Sequence, residues 1–127
     1  IRVGNVETKA LLDTGAANNL IQRSIAEKID IPTCETRQIA IKGLGSKVIK
    51  TLGSIRVEVS LFKNKQSDTE FAILDDKEIQ FPVMLGRKFC KANKLMIDLC
   101  RRKISKTNED GSITNIFLKD KNEVNRI

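Results

Sequence analysis

Strict alternation of apolar and polar residues is the feature that most constrains how this chain can fold. In the segment GSIRVEVSLF, residues 53–62, apolar side chains occupy every second position: Ile55, Val57, Val59 and Leu61. A period of two is typical of a β-strand with one buried face. Apolar runs elsewhere predict further strands, at Phe71–Leu74, Lys94–Leu99 and Ile113–Leu118, with two more around the Gly4-Asn5 turn.

Helical signals are few and short. The segment Gln22–Ile29 can place Ile25 and Ile29 on one face, and Pro32 prevents much extension of that helix. The segment Arg87–Asn93 predicts a second short helix. Loops are predicted at Lys63–Thr69, Asp75–Gln80 and Thr107–Ser112. We therefore expect a mainly β fold, built as a small barrel or a folded sheet.

The size of the chain predicts one domain over residues 1–127, because no linker-like composition divides it. No apolar run approaches the ~20 residues that cross a bilayer, and no signal-peptide pattern opens the sequence. We therefore expect a cytoplasmic protein. Because the chain begins with Ile1 rather than Met, we also expect it to be a piece of a longer polyprotein.

The chain contains no histidine, which excludes whole classes of catalysis. Ser-His-Asp and Cys-His mechanisms need an imidazole, and so do most zinc sites. Any hydrolytic chemistry must then use carboxylates, Lys, Ser, Thr or Cys. The three cysteines are an odd number without metal-ligand spacing, a pattern that favours a reducing compartment over a disulfide framework.

Basic residues are concentrated in one segment of this basic chain. The net charge is +7, from 23 basic and 16 acidic residues, and residues 87–106 hold eight basic side chains against the single acid Asp98. Such a cluster can attract nucleic acid. Phe89 is the only aromatic residue within it, so stacking on bases is poorly supported. An ordinary solvated surface is the simpler interpretation.

The segment ALLDTGAANNLI places Asp13 directly after an apolar run and directly before Thr14-Gly15. The simple interpretation is a strand end at which an aspartate opens a turn. The alternative is chemical, because two carboxylates in contact share one proton and supply an acid and a base together. The sequence holds one Asp-Thr-Gly, so the second carboxylate would come from a second copy of the chain.

Four segments together resemble a retropepsin, the dimeric aspartic protease of retroviruses and LTR retrotransposons: ALLDTGAANNLI, RSIAEKI, IKGLGSKVIKTLGSIRVEVSL and PVMLGRKFCKANKLMIDL. The resemblance covers roughly residues 1–104 and is closest to the Gypsy-type retrotransposon branch. It implies an acid protease fold completed by homodimerisation, and an aspartic endopeptidase that cleaves its parent element's polyprotein. It implies no metal or organic cofactor. Catalysis by a carboxylate pair favours an acidic to near-neutral pH optimum.

The resemblance also implies a role for each matching position around the catalytic loop. Asp13 would be the catalytic acid and base of each subunit. Thr14 would lock the two active-site loops together, and Gly15 would hydrogen-bond the substrate backbone. Three residues would line the cleft beside the peptide: Ala16, Ala17 and Asn18.

Two other segments complete the implied site. Gly43, Leu44 and Gly45 would form the tip of a flap that closes over the substrate, since glycine suits a hinge that approaches a peptide backbone. Val83 and Met84 would form the opposite pocket wall. Gly86 and Arg87 would have structural roles, at the corner of the second turn and as a hydrogen-bond or ion-pair donor.

The chain departs from the retroviral pattern in three places. Many retroviral members carry an acid at the position of Ala17, paired with the arginine that corresponds to Arg87, so Arg87 lacks that partner here. Only twelve residues precede Asp13, and about forty follow Gly86. We therefore expect residues 104–127 to form a C-terminal extension or hairpin. That hairpin, Ile104–Lys119, would replace the usual dimer interface, unless part of the native N-terminus is missing.

Two alternatives to a protease remain open at this point. One is a catalytically silent retropepsin-like domain that dimerises or binds protein, against which the intact Asp-Thr-Gly argues. The other is nucleic-acid binding through the Arg87–Lys106 segment, alone or alongside proteolysis.

Overall fold

The computed structural model describes residues 1–29, 33–35, 40–42, 48–61 and 66–117, and over these residues the protein is mainly β, as predicted. The strands are β1 (Arg2–Val3), β2 (Val6–Glu7), β3 (Ala10–Leu12), β4 (Leu20–Gln22), β5 (Thr33–Glu35), β6 (Ala40–Lys42), β7 (Val48–Lys50), β8 (Gly53–Ser60), β9 (Ser67–Leu74), β10 (Val83–Leu85), β11 (Leu95–Asp98), β12 (Lys103–Thr107) and β13 (Ile113–Phe117). Within these ranges the helices are α1 (Arg23–Ala26) and α2 (Arg87–Ala92), and Asp76–Glu78 form a 3₁₀ turn.

Eight of the strands form one curled sheet that contains the core. Its order is β2-β1-β8-β9-β4-β10-β3, and β5 pairs with β8 at one side. The long antiparallel pair β8–β9 is its centre, with Ile55 opposite Phe71 and Val57 opposite Thr69. Ile55 and Val59 are buried while Arg56 is exposed, which confirms the alternation predicted for this strand.

The register of β3 and β10 positions the Asp-Thr-Gly segment. The two strands run parallel, with Leu12 opposite Leu85, and β4 pairs antiparallel with the other side of β10. Because parallel neighbours end at the same edge of a sheet, the residues that follow them, Asp13 and Gly86, emerge side by side. The apolar segments that end at Leu12 and Leu85, each followed by a turn that contains glycine, are therefore neighbours in space.

The three C-terminal strands form a separate antiparallel sheet of order β11-β12-β13. One face of this sheet carries Ile104, which is buried. The opposite face carries Met96, Ile113 and Phe117, which are 66%, 63% and 70% exposed. Residues paired across neighbouring strands share a face, and along β12 every second residue, Lys103, Ser105 and Thr107, points to the same side. Phe117, Met96 and Ile113 are paired with these three residues in turn and therefore lie on one face.

Both predicted helices form, and both are shorter than predicted. Helix α1 begins at Arg23 because Gln22 keeps an extended backbone as the last residue of β4. Ile29 is buried in the core beyond the end of the helix. The backbone amide of Ser24 donates to the Asp76 carboxylate at 3.0 Å, and hydrogen bonds from Ser24 hold the pKa of Asp76 below its ordinary value.

Several short strands were missed, and one predicted loop is wrong in part. β4, β5 and β10 have three residues each, which is too short to show a period of two. The segment predicted as a loop at Lys63–Thr69 contains the start of β9, because Ser67–Thr69 pair with Val57–Val59 of β8. None of the helices within the described ranges has the length and apolar character that crossing a membrane requires.

Candidate active site

Asp13 is held at the end of β3 by hydrogen bonds to the neighbouring strand β10 and to the two residues Gly15 and Ala16 of the loop that follows. Its backbone amide donates to the Leu85 carbonyl at 2.9 Å, which continues the parallel pairing with β10 by one residue. Its carboxylate accepts from the Gly15 amide at 2.8 Å, and its carbonyl accepts from the Ala16 amide at 3.2 Å. The side chain is half-buried, so the carboxylate has a defined orientation and remains accessible to water.

Gly86 packs against the loop that follows Asp13 so closely that no side chain fits there. A Cβ at this position would lie 2.7 Å from the Ala16 carbonyl oxygen and closer still to the Asn18 carbonyl oxygen. Both obstacles are backbone atoms, which cannot move aside as a flexible side chain would. A glycine at position 86 therefore lets the loop 13–18 lie directly on the start of α2.

Asn19 is the residue at this site that sequence reasoning missed. Its side chain is only 4% exposed and makes hydrogen bonds to the start of α2 and to β9. The side-chain oxygen accepts from the Gly86 amide at 2.9 Å, and the side-chain nitrogen donates to the Glu70 carbonyl at 3.2 Å. The Asn-Asn pair that ends the loop was a sequence signal, but either residue could equally have been an exposed turn residue.

Arg87 binds the carbonyl oxygens of the Asp-Thr-Gly loop. Its Nη1 donates to the Thr14 carbonyl at 2.9 Å and to the Gly15 carbonyl at 3.0 Å. Its backbone amide donates to the Ala16 carbonyl at 2.8 Å, and that of Lys88 donates to the Ala17 carbonyl at 3.3 Å. The first turn of α2 is thus paired with the loop through both backbone and side chain. Arg87 therefore has backbone carbonyls as its partners, and position 17 of this chain carries no acid.

The remaining predicted site residues lie around this loop with different exposure. Thr14, Gly15 and Ala17 are exposed, whereas Ala16 and Asn18 are half-buried. Val83 has 0% exposure and belongs to the core, while Met84 on the opposite face of β10 is half-buried. Of these two residues, predicted to form a pocket wall, Met84 is therefore the one accessible from the surface.

The predicted flap tip, Gly43, Leu44 and Gly45, lies outside the described residues. The strands on either side of it are described. β6 and β7 form a two-stranded antiparallel sheet in which Ile41 lies opposite Ile49.

Two of the cysteines differ in their exposure. Cys100 is exposed in the turn between β11 and β12, whereas Cys90 in α2 is half-buried, and this burial raises the pKa of its thiol. Arg101 pairs with Asp98 at 4.0 Å. Across the described ranges, no three Cys, Asp or Glu side chains come together where they could ligate a metal.

Comparison with known proteins agrees with this architecture. Residues 1–89 match the family model described as aspartyl protease, and the chain belongs to that family. Among solved structures it is similar to the retroviral protease-like domain of Ddi1 from Leishmania major, with a TM-score of 0.73 at 21% sequence identity. That match covers 96% of this chain and 92% of the other. At this identity the likeness shows the fold, which is retropepsin-like. No curated protein matches the sequence.

Proposed function

We propose that the protein is an aspartic endopeptidase that acts as a homodimer, with one Asp13 from each chain in the active site. The observation that carries this proposal is the setting of Asp13. Its half-buried carboxylate follows a core strand and accepts the Gly15 amide, beside the end of a parallel strand, in a member of the aspartyl protease family. Because the sequence holds a single Asp-Thr-Gly, a catalytic pair needs two copies.

The proposed chemistry uses one proton shared between the two Asp13 carboxylates. The ionised carboxylate takes a proton from a water molecule, which attacks the carbonyl carbon of the scissile peptide bond. The protonated carboxyl group gives its proton to the carbonyl oxygen, which forms a tetrahedral intermediate with two hydroxyl groups. As the C–N bond breaks, the other carboxyl group gives the proton that it took from water to the leaving nitrogen, and the first carboxylate takes a proton back from a hydroxyl group of the intermediate. Thr14 would fasten the two loops together, while Gly15 would bind the peptide backbone.

The substrate would lie as an extended strand between this floor and the flap of residues 43–45, held mainly by backbone hydrogen bonds. Ala16, Ala17, Asn18 and Met84 would line the floor. The apolar character of Ala17, Leu44 and Met84 favours apolar residues at the cleavage site. The natural substrate would be the polyprotein of a retroelement, most similar to the Gypsy type, in the cytosol or within virus-like particles.

For the dimer interface we propose the outward face of the β11-β12-β13 sheet, which we call the C-terminal face and define by Met96, Ile113 and Phe117. Three exposed large apolar side chains on one face of a small sheet are a costly arrangement in water. A second copy would present the same three residues across a two-fold axis, so one face would cover the other. The predicted tail hairpin would then form the dimer interface through Ile113 and Phe117, together with Met96 on the neighbouring strand β11.

A catalytically silent domain for dimerisation or protein binding is the second candidate. The exposed C-terminal face would serve such a domain equally well, and family membership by itself does not establish activity. Nucleic-acid binding through the Arg87–Lys106 segment could accompany either function. In the described structure two of its arginines already have protein partners, Arg87 at the loop carbonyls and Arg101 at Asp98.

Cleavage of a peptide library and of the longer precursor separates the two candidates. The wild type is expected to cut between about pH 4 and 7, where carboxylate pairs titrate, and to be inhibited by a pepstatin-type compound. Asp13→Asn is expected to lose activity about 100-fold or more. The matched control is Asp68→Asn, which alters an exposed aspartate on β9. A dimeric wild type that cuts nothing across this pH range would refute the protease proposal.

A further inference from the structure

Two successive peptide groups connect Arg87 to Asp13. In a trans peptide the C=O and the N–H of one group point in opposite directions. The Thr14 carbonyl accepts from Arg87 Nη1, and the N–H of the same peptide group, that of Gly15, donates to the Asp13 carboxylate at 2.8 Å. The Gly15 carbonyl also accepts from Nη1, and the N–H of that group, on Ala16, donates to the Asp13 carbonyl.

One guanidinium nitrogen therefore fixes the planes of both peptide groups that hold Asp13. We propose that Arg87 is a positioning residue for the Asp13 carboxylate, acting through the Thr14–Gly15 and Gly15–Ala16 peptide groups. It directs the Gly15 amide at Oδ1. A hydrogen bond at the carbonyl end also polarises the peptide group and strengthens its N–H as a donor.

This role differs from that of an arginine in an ion pair. The partners of Arg87 are neutral backbone carbonyls, so the contact does not depend on the protonation of a neighbouring acid. An arginine paired with an acid at position 17 would lose that partner at low pH, which is where a carboxylate pair works. With Ala17 in this position, the loop is held at acidic and neutral pH alike.

The inference rests on the proposed function, but part of its test does not need activity. The readout is the Gly15 amide, followed by its NMR resonance and its hydrogen-exchange rate. In Arg87→Met the Gly15 amide is expected to shift and to exchange faster, because its peptide plane is no longer fixed. In Arg87→Lys a single ammonium can still donate to both carbonyls, so both readouts should move back towards the wild type.

The matched control is Lys91→Met, which removes the same charge from an exposed position on the same helix. It is expected to leave the Gly15 amide unchanged. An unchanged Gly15 amide in folded Arg87→Met would overturn the proposal. If Arg87→Met does not fold, Arg87→Gln is measured in its place. Loss of folding in both variants would also overturn it, because Arg87 would then be required for folding rather than for positioning.

The peptidase activity of the Arg87 variants provides the second part of the test. Arg87→Met is expected to lower kcat about ten- to 100-fold, the usual effect of a small misplacement of a catalytic group, with a smaller change in KM. Arg87→Lys should recover part of the loss. An effect on KM alone would contradict positioning of the carboxylate. A wild type without activity would refute the proposed function and leave the NMR test of Arg87 intact.

Discussion

The side-chain oxygen of Asn19 accepts a hydrogen bond from the backbone amide of Gly86 at 2.9 Å, joining positions 67 residues apart in the chain. The same side chain donates to the Glu70 carbonyl. One buried side-chain amide thus connects the loop after Asp13, the start of α2 and the central strand β9. The orientation of the proposed active site depends on this connection as well as on Asp13 itself.

Replacing Asn19 with alanine is expected to destabilise the fold. The substitution leaves the Gly86 amide and the Glu70 carbonyl without their partner in a buried setting, at a cost of about 2–4 kcal/mol in the free energy of unfolding. Urea unfolding measures the difference. Asn18→Ala is the control, because it changes the neighbouring asparagine while keeping the backbone contacts of that position. Equal stability of the two variants would show that the Asn19 side chain contributes little.

Replacing Gly86 with alanine tests whether close packing, rather than backbone conformation, requires the glycine. The new Cβ would collide with the Ala16 and Asn18 carbonyl oxygens, and we expect a loss of at least about 2 kcal/mol in unfolding free energy. Gly111→Ala is the contrasting case. Gly111 has φ of 86° and no atom near the added Cβ, so only a conformational cost of about 1 kcal/mol is expected. A smaller loss at Gly86 than at Gly111 would contradict the collision.

Asp76 is expected to make stability depend on pH. Hydrogen bonds from Ser24 lower its pKa below the ordinary value of 3.8, with a smaller contribution from the charge of Arg23. Because the folded-state pKa is depressed, the stabilisation is present above pH 3.8 and is lost as pH falls through the folded-state pKa. Asp76→Asn should therefore lower the urea midpoint at pH 7 and have little effect well below that pKa. Glu109→Gln serves as the control, and a difference that persists at the lowest pH would contradict the linkage.

Cys90 and Cys100 are expected to react with iodoacetamide at different rates. Cys100 is exposed, whereas burial hinders access to Cys90 and raises the pKa of its thiol, so less thiolate is present at pH 8. In a Cys34→Ser background, peptide mass spectrometry should show Cys100 modified first. Urea should abolish the difference, because unfolding exposes both thiols. Faster modification of Cys90 in the folded protein would contradict its burial.

Replacing Phe117 with aspartate tests the C-terminal face as the dimer interface. The charge would lie at the proposed two-fold contact, so the variant is expected to stay folded, sediment as a monomer and lose activity. Val48→Asp is the matched control, since Val48 is 62% exposed on β7, outside the C-terminal face. A Phe117→Asp variant that remains dimeric would place the interface elsewhere.

The elements with strong local patterns were predictable, and those that depend on distant partners were not. The alternation along residues 53–62 predicted β8, and the turn pair Gly4-Asn5 predicted the two strands β1 and β2 around it. The polar residues Ser67–Thr69 were predicted as part of the loop Lys63–Thr69. They are a strand because β8 supplies their hydrogen-bond partners, and Arg56 pairs with Asp68 at 3.2 Å across the ladder.

The sequence by itself indicated the class of the protein, because Asp13-Thr14-Gly15 after an apolar strand and three further segments resemble a retropepsin. The absence of histidine also excluded Ser-His-Asp and Cys-His mechanisms. The sequence also showed that Arg87 lacks an acidic partner at position 17. Only the tertiary structure showed that Arg87 binds the Thr14 and Gly15 carbonyls instead, and that Asn19 is buried. Both depend on the parallel pairing of β3 with β10, which brings residues 13–19 against residues 86–88. Such a contact between distant segments is set by the packing of the whole sheet, which no local pattern of residues records.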